Sequence, residues 1–149
     1  MTLFNSADVD FPDIYHNTPL MLAAQIGHVD IVRVLFEHNT EVNSQSNIGW
    51  TPLHHAVQGG TVSKSDPSRV VRLLLEHGAN ANARDTEHRT PLHLALTGHS
   101  CLDVARILLE HGADTDAENK KGWTPSQEAS WWGQSEIVRL LSEFRSVRA

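Results

Sequence analysis

Ten histidines and a single cysteine, Cys101, are the residues of this chain best able to hold a metal or act as a base. Zinc takes each imidazole nitrogen at about 2.0 to 2.1 Å, so its ligands must converge on one point. These histidines are spread instead. His38, His77 and His111 each follow Glu at the end of an apolar run, whereas His54 and His93 each follow Pro-Leu. Like positions on stacked helices lie about 8 to 10 Å apart, too far to share an ion. No metal site is therefore expected. The chain also lacks a Gly-x-Ser-x-Gly elbow, a phosphate-cradling Gly-x-x-x-x-Gly-Lys and a His-Glu-x-x-His pair. Ser, His and Asp recur at fixed positions that give no reason to expect a triad, so no catalytic residue and no cofactor are expected. Cys101 has no second cysteine to pair with, which makes it a free structural thiol suited to a reducing compartment.

What spaces the histidines is a repeated phrase. Gly49-Trp50-Thr51-Pro52-Leu53-His54-His55-Ala56 returns as Asn17-Thr18-Pro19-Leu20, as Arg89-Thr90-Pro91-Leu92-His93-Leu94-Ala95 and as Trp123-Thr124-Pro125-Ser126. The Thr-to-Thr steps are 33, 39 and 34 residues (18 to 51, 51 to 90, 90 to 124). A period in this range marks a stacked-repeat architecture. Thr caps a helix by offering its hydroxyl to free first-turn amides, and Pro next to it gives up only an amide that had no partner. Each Thr-Pro thus starts a helix. A second apolar run follows in every unit, as in Ile31-Val32-Arg33-Val34-Leu35-Phe36, Val70 to Leu75, Val104 to Leu109 and Ile137 to Leu141. Two of these runs end in Glu-His-Gly-Ala, with Gly78 and Gly112 free to take the left-handed conformation that closes a helix; Asn39 stands there in the first unit.

Thr-Pro-Leu-His-x-Ala, the paired apolar helices and the Gly-Ala-Asn/Asp endings together resemble the ankyrin repeat, from about residue 14 onward. The resemblance implies an all-α ankyrin-repeat solenoid of about four helix-turn-helix units joined by β-hairpin-like loops. It also implies that His54 and His93 hold hairpin and helix start together by hydrogen bonds. Unit boundaries are expected near 14–46, 47–83, 84–117 and 118–149, after a covering segment or partial repeat over 1–13. In unit 2 the step from Gly60 to Val70 exceeds its counterpart, Gly27 to Ile31, by six residues. That insertion reads as a solvated loop before a helix capped by Asp66 and begun by Pro67. In unit 4, Ser126, Gln127 and Ser142 stand where apolar residues or His stood before, predicting that no further repeat stacks on this end.

Forty per cent hydrophobic content over 149 residues is enough for one compact domain. No stretch approaches the roughly 18 apolar residues of a membrane span. A formal charge of -6 argues against a nucleic-acid partner, because phosphate binding depends on a basic face. The chain is expected to be a monomer, inside the cell in cytoplasm or nucleus.

The resemblance places function on a concave surface made of hairpin tips and first helices, where a protein partner binds. Comparing units, the variable positions just before Thr and near the end of each first helix give the candidate partner-binding residues. They are Tyr15, Ile26, Ile48, Trp50, Glu87, Arg89, Lys120, Lys121, Trp123, Trp131 and Trp132. All four tryptophans fall among them, and Trp and Arg dominate interface hot spots. A non-enzymatic protein-interaction module is thus the leading reading. The alternative is a regulatory or targeting domain from a larger enzyme or signalling protein. Asn43, eight residues after Leu35, is in addition similar to asparagines hydroxylated in ankyrin hairpins.

Overall fold

The computed structural model describes residues 9–59, 66–97 and 101–148. The inserted segment of unit 2 and the side chain of Cys101 lie outside the described residues. Among the described residues eight helices have both ends placed: α1 (Pro19–Ile26), α2 (Val29–Glu37), α3 (Pro52–Gly59), α4 (Ser68–Glu76), α5 (Pro91–Ala95), α6 (Cys101–Glu110), α7 (Pro125–Trp131) and α8 (Ser135–Arg148). Among the described residues no strand occurs. The helices form four pairs stacked in two rows. In the first row α1 packs on α3, α3 on α5 and α5 on α7; in the second α2 packs on α4, α4 on α6 and α6 on α8.

The Thr-Pro phrase starts the first helix of each pair as its chemistry dictates. Thr18, Thr90 and Thr124 cap α1, α5 and α7 by accepting the amides of Met21, His93 and Gln127. The residue at that third position reaches back to the Thr amide: Met21 with Sδ, Gln127 with Oε1, and His54 and His93 with Nδ1. Because Nδ1 of each ring accepts, the proton of the neutral imidazole sits on Nε2. His54 Nε2 donates to the Arg89 carbonyl at 3.1 Å and His93 Nε2 to the Trp123 carbonyl at 3.0 Å. One ring thereby ties a helix start to the hairpin of the following unit.

Helix α4 departs from the expected start. Pro67 occupies the cap position and Ser68 begins the helix, one residue later than the sequence suggests. Asp66 still serves the first turn, its Oδ1 accepting the Ser68 amide at 3.0 Å across a two-residue Asx turn. At the other end of the second-row helices, His38, His77 and His111 donate Nδ1–H to the carbonyls of Val34, Leu73 and Ile107, each at 2.9 Å. His77 also stacks flat on Phe36 of the preceding unit, with ring centroids 4.0 Å apart. These rings close helices, and His77 also contacts the unit before it.

The core runs continuously through the stack, with Leu20, Leu53 and Leu92 from the first row and Leu74, Leu108 and Leu141 from the second. Leu74 is fully buried between neighbouring units. Leu74→Ala should cost about 2 to 5 kcal/mol, since a cavity there cannot close. Urea unfolding measures it, and a loss below about 1 kcal/mol would contradict that burial.

His55 of α3 is buried as well, and its Nδ1–H donates to Gln25 Oε1 at 3.1 Å while Nε2 has no partner. Burial holds His54 and His93 below the ordinary imidazole range and pushes His55 down to about 4. In the unfolded chain these rings titrate near pH 6.5. Between about pH 6.5 and 4 the unfolded state therefore binds more protons than the folded one. Stability is complete above that window and falls as pH is lowered through it. From pH 7.5 to 5, His55 alone should account for a loss of about 2 kcal/mol. Urea titrations at the two pH values test this, and His55→Leu should flatten the dependence; a pH-independent midpoint in the parent would contradict it.

Candidate functional site

Four hairpins, at residues 13–17, 46–50, 85–89 and 119–123, each lead into the first helix of a unit, and they share one hydrogen-bonding plan. The first residue's amide bonds the fifth residue's carbonyl, and the fourth residue's amide bonds the first residue's carbonyl, at 2.9 to 3.0 Å throughout. The fourth residue must take positive φ, as His16 (62°), Gly49 (78°), His88 (58°) and Gly122 (78°) do. An Asx side chain at the first position locks three of the loops. Asp13, Asp85 and Asn119 each accept the amides two and four residues on.

Successive hairpins are laddered. Asn47 donates its amide to the Tyr15 carbonyl, Thr86 to that of Ile48 and Lys120 to that of Glu87, at 3.0 to 3.1 Å. This register sets Tyr15, Ile48, Glu87 and Lys121 in one row at the third hairpin position. Their exposure follows, since a tip side chain has no layer above it: Tyr15 and Ile48 are exposed apolar groups, and Glu87, Lys120 and Lys121 are exposed charges. A second ladder runs at the hairpin bases. Asn43 accepts the Asn80 amide at 2.8 Å and donates to the Gly78 carbonyl, and Asn82 does the same with Asp114 and Gly112.

The fifth hairpin position behaves differently. Trp50 is half-buried, its Nε1–H donating to Asp85 Oδ2 at 3.0 Å and its ring lying edge-on to His55. Arg89 gives its Nε–H to the same carboxylate oxygen at 2.9 Å. The Trp50 indole and the Arg89 Nε–H thus meet on Asp85, whose buried carboxylate also takes the Glu87 and Arg89 amides. Trp123, the counterpart of Trp50, meets Trp131 edge-to-face at 5.7 Å. Trp131 is 72% exposed, Trp132 62% and Ile26, at the end of α1, 62%.

The structure therefore gathers the candidates into groups. Trp123 and Trp131 line one cavity with Ser126, Gln127 and Ser130. Glu87, Arg89, Lys120 and Lys121 surround a separate depression of about 210 Å³ with Asn119 and Glu128. Tyr15 and Ile26 belong to the first unit, apart from both. Sequence comparison passed over Asp85, although its alignment with Asp13 and Asn119 marks it as a loop-locking residue. It passed over Leu22 and Ile14 too, both exposed. Among the described residues no group of three or more His, Cys, Asp or Glu is placed to hold a metal ion, and no helix is long and apolar enough to cross a membrane.

A family model described as ankyrin repeats (3 copies) matches residues 1–85, 46–119 and 61–147. Among similar proteins, ankyrin repeat domain-containing protein 13C of Danio rerio is 34% identical over 59 residues, 40% of this chain and 12% of that protein. Human ankyrin repeat domain-containing protein 13B is 52% identical over 50 residues, 34% of this chain and 8% of its own length. NF-kappa-B inhibitor cactus of Drosophila melanogaster is 37% identical over 54 residues, 36% of this chain and 11% of that protein. The chain thus spans about a tenth of the relatives it matches. Helix-turn-helix pairs, laddered hairpins, Thr-Pro starts and the family match agree, and the chain belongs to the ankyrin repeat family.

Proposed function

We propose that this chain is a non-enzymatic module that binds a partner protein on the concave surface formed by its hairpin tips and first-row helices. Ankyrin repeats serve in general as protein-protein interaction modules. One relative, cactus, is named as an inhibitor of NF-kappa-B. The observation that carries the reading here is the exposure of Trp131 and Trp132 at the end of α7. Two large indoles held at a helix end bury much area at little entropic cost when a partner arrives. Tyr15, Ile26 and Ile48 extend the apolar exposure toward the first unit. The binding is read as that of a monomer inside the cell, in cytoplasm or nucleus, without nucleic acid or membrane. A regulatory or targeting role within a larger protein is favoured by one observation, that the relatives are about ten times longer than the stretch they share.

Affinity capture from source extract, followed by titration of single variants against the recovered protein, tests the proposal. Trp131→Ala or Trp132→Ala should weaken binding by about 2 kcal/mol or more. Each variant should unfold within about 1 kcal/mol of the parent, as exposed residues do. Unchanged affinity in both variants would move the site to the tips around Ile48 and Arg89. A large stability loss in both would return the pair to the core and remove the basis for the reading.

A further inference from the structure

We infer that the depression between α2 and α4 binds a single phosphate group carried on a side chain of a partner protein, as in phosphoserine. Second-row helices alone form it, so it is separate from the hairpin tips. Arg33 of α2 and Arg69, Arg72 and Glu76 of α4 surround a volume of about 280 Å³, with Val29 and Leu73 as its apolar part. All three arginines are exposed, and among the described residues none has an ion-pair or side-chain hydrogen-bond partner. Glu76 stands one helical turn after Arg72 without pairing to it.

Comparison of the four units singles this place out. Every second-row helix carries an arginine at the same position, Arg33, Arg72, Arg106 and Arg139, and a glutamate four residues on, Glu37, Glu76, Glu110 and Glu143. Three residues before the arginine stand Asp30, Asp103 and Glu136 in the first, third and fourth units, but Arg69 in the second. That position lies in the first helical turn, where a carboxylate suits the positive end of the helix and a guanidinium opposes it. Helix α4 thus forgoes a favourable charge for an arginine that bonds no neighbour. Two acids against one arginine leave these three positions at -1 in each of the other units, whereas two arginines against Glu76 leave them at +1 here.

These charges select the ligand. A guanidinium presents parallel N–H donors that match two oxygens of a phosphate. A phosphorylated side chain carries close to two negative charges and three acceptor oxygens, enough to engage arginines from both helices at once, which a carboxylate cannot do. The Ser68 hydroxyl belongs to the same lining and is withheld from solvent without a hydrogen-bond partner, a buried donor that lacks an acceptor. A polyanion fits poorly. Nucleic acid or an anionic membrane would extend over neighbouring units, whose second-row faces carry Asp30, Asp103, Glu110 and Glu136 and repel it. A lone dianion on a peptide meets the arginines without meeting those acids, which is how arginine clusters read phosphorylated segments.

The test titrates the full chain with the peptide Gly-Ala-phosphoserine-Ala-Gly and follows the arginine Nε–H groups by NMR. The signals of Arg33, Arg69 and Arg72 should shift saturably, the unphosphorylated peptide should shift none of them, and inorganic phosphate should displace the bound peptide. Arg69→Asp, which installs the charge found in the other units, should weaken binding at least about tenfold. Its thermal midpoint should equal or exceed that of the parent, since an acid suits the helix start, so lost binding would not reflect lost folding. Arg33→Gln, across the depression, should weaken binding too, whereas Arg106→Ala, at the matching arginine of the third unit, should not. No saturable shift up to about 10 mM peptide, a range that covers weak association, would overturn the inference. Full affinity in Arg69→Asp, or equal affinity for the unphosphorylated peptide, would do the same. Phosphatidylcholine vesicles containing phosphatidylinositol bisphosphate that capture the chain through Arg69, with no binding of the peptide, would also overturn it and assign the arginines to a membrane surface. None of these outcomes touches the concave-surface reading, which stands or falls on Trp131 and Trp132.

Discussion

The stack depends on one side chain used at both ends. A neutral imidazole that accepts at Nδ1 and donates at Nε2 caps its own helix and grips the carbonyl of the following hairpin, as His54 does with Arg89 and His93 with Trp123. No other uncharged side chain combines an acceptor and a donor on opposite edges of one rigid ring. Where His is replaced, half the function survives. Met21 and Gln127 still accept the Thr amide, yet neither reaches a following hairpin among the described residues. Among the described residues the first junction is joined at the tip by the Asn47 amide, whereas the second and third carry a ring as well. Burial makes this arrangement possible by keeping the rings neutral, and it makes the stack sensitive to acid.

The first and last described units differ in the faces they present. In the second row, Ile31 and Val34 are 45% and 50% exposed, while their counterparts Val70, Leu73, Val104 and Ile107 are buried by the unit before them. The far end presents Ser126, Gln127 and Ser142 at positions that are apolar or His elsewhere. An apolar first face and a polar last face do not complement each other.

Much of this was legible because the interactions are local. Thr, Pro and the residue three positions after Thr fall within one helical turn, so capping and helix starts could be read from spacing, and the paired apolar runs gave the two rows. The start of α4 was misplaced by one residue because Asp66 can reach the Ser68 amide from either side of the cap. The Trp50, Arg89 and Asp85 cluster stayed hidden for a different reason. Its indole and carboxylate are 35 residues apart in sequence, and only the ladder register brings them together. The tie of Trp50 and Arg89 to Asp85 could therefore not be read from spacing. Trp131 and Trp132, neighbours on one helix, could be recognised as unable to share a buried face, although the pairing of Trp131 with Trp123 required the fold.

The central claim, that the second ring nitrogen of His54 and of His93 fixes the following hairpin to its unit, is tested most directly by native-state hydrogen exchange in His93→Met. Methionine at this position already accepts the Thr amide in the first unit, so the substitution keeps the helix cap and removes only the bond to the Trp123 carbonyl. The account predicts that protection of the Lys120 amide falls by about tenfold, the worth of one buried hydrogen bond, while the Thr86 amide, held at the His54 junction, is unchanged. Equal protection of Lys120 in parent and variant would contradict it, and would show that backbone ladders alone hold the hairpins in register.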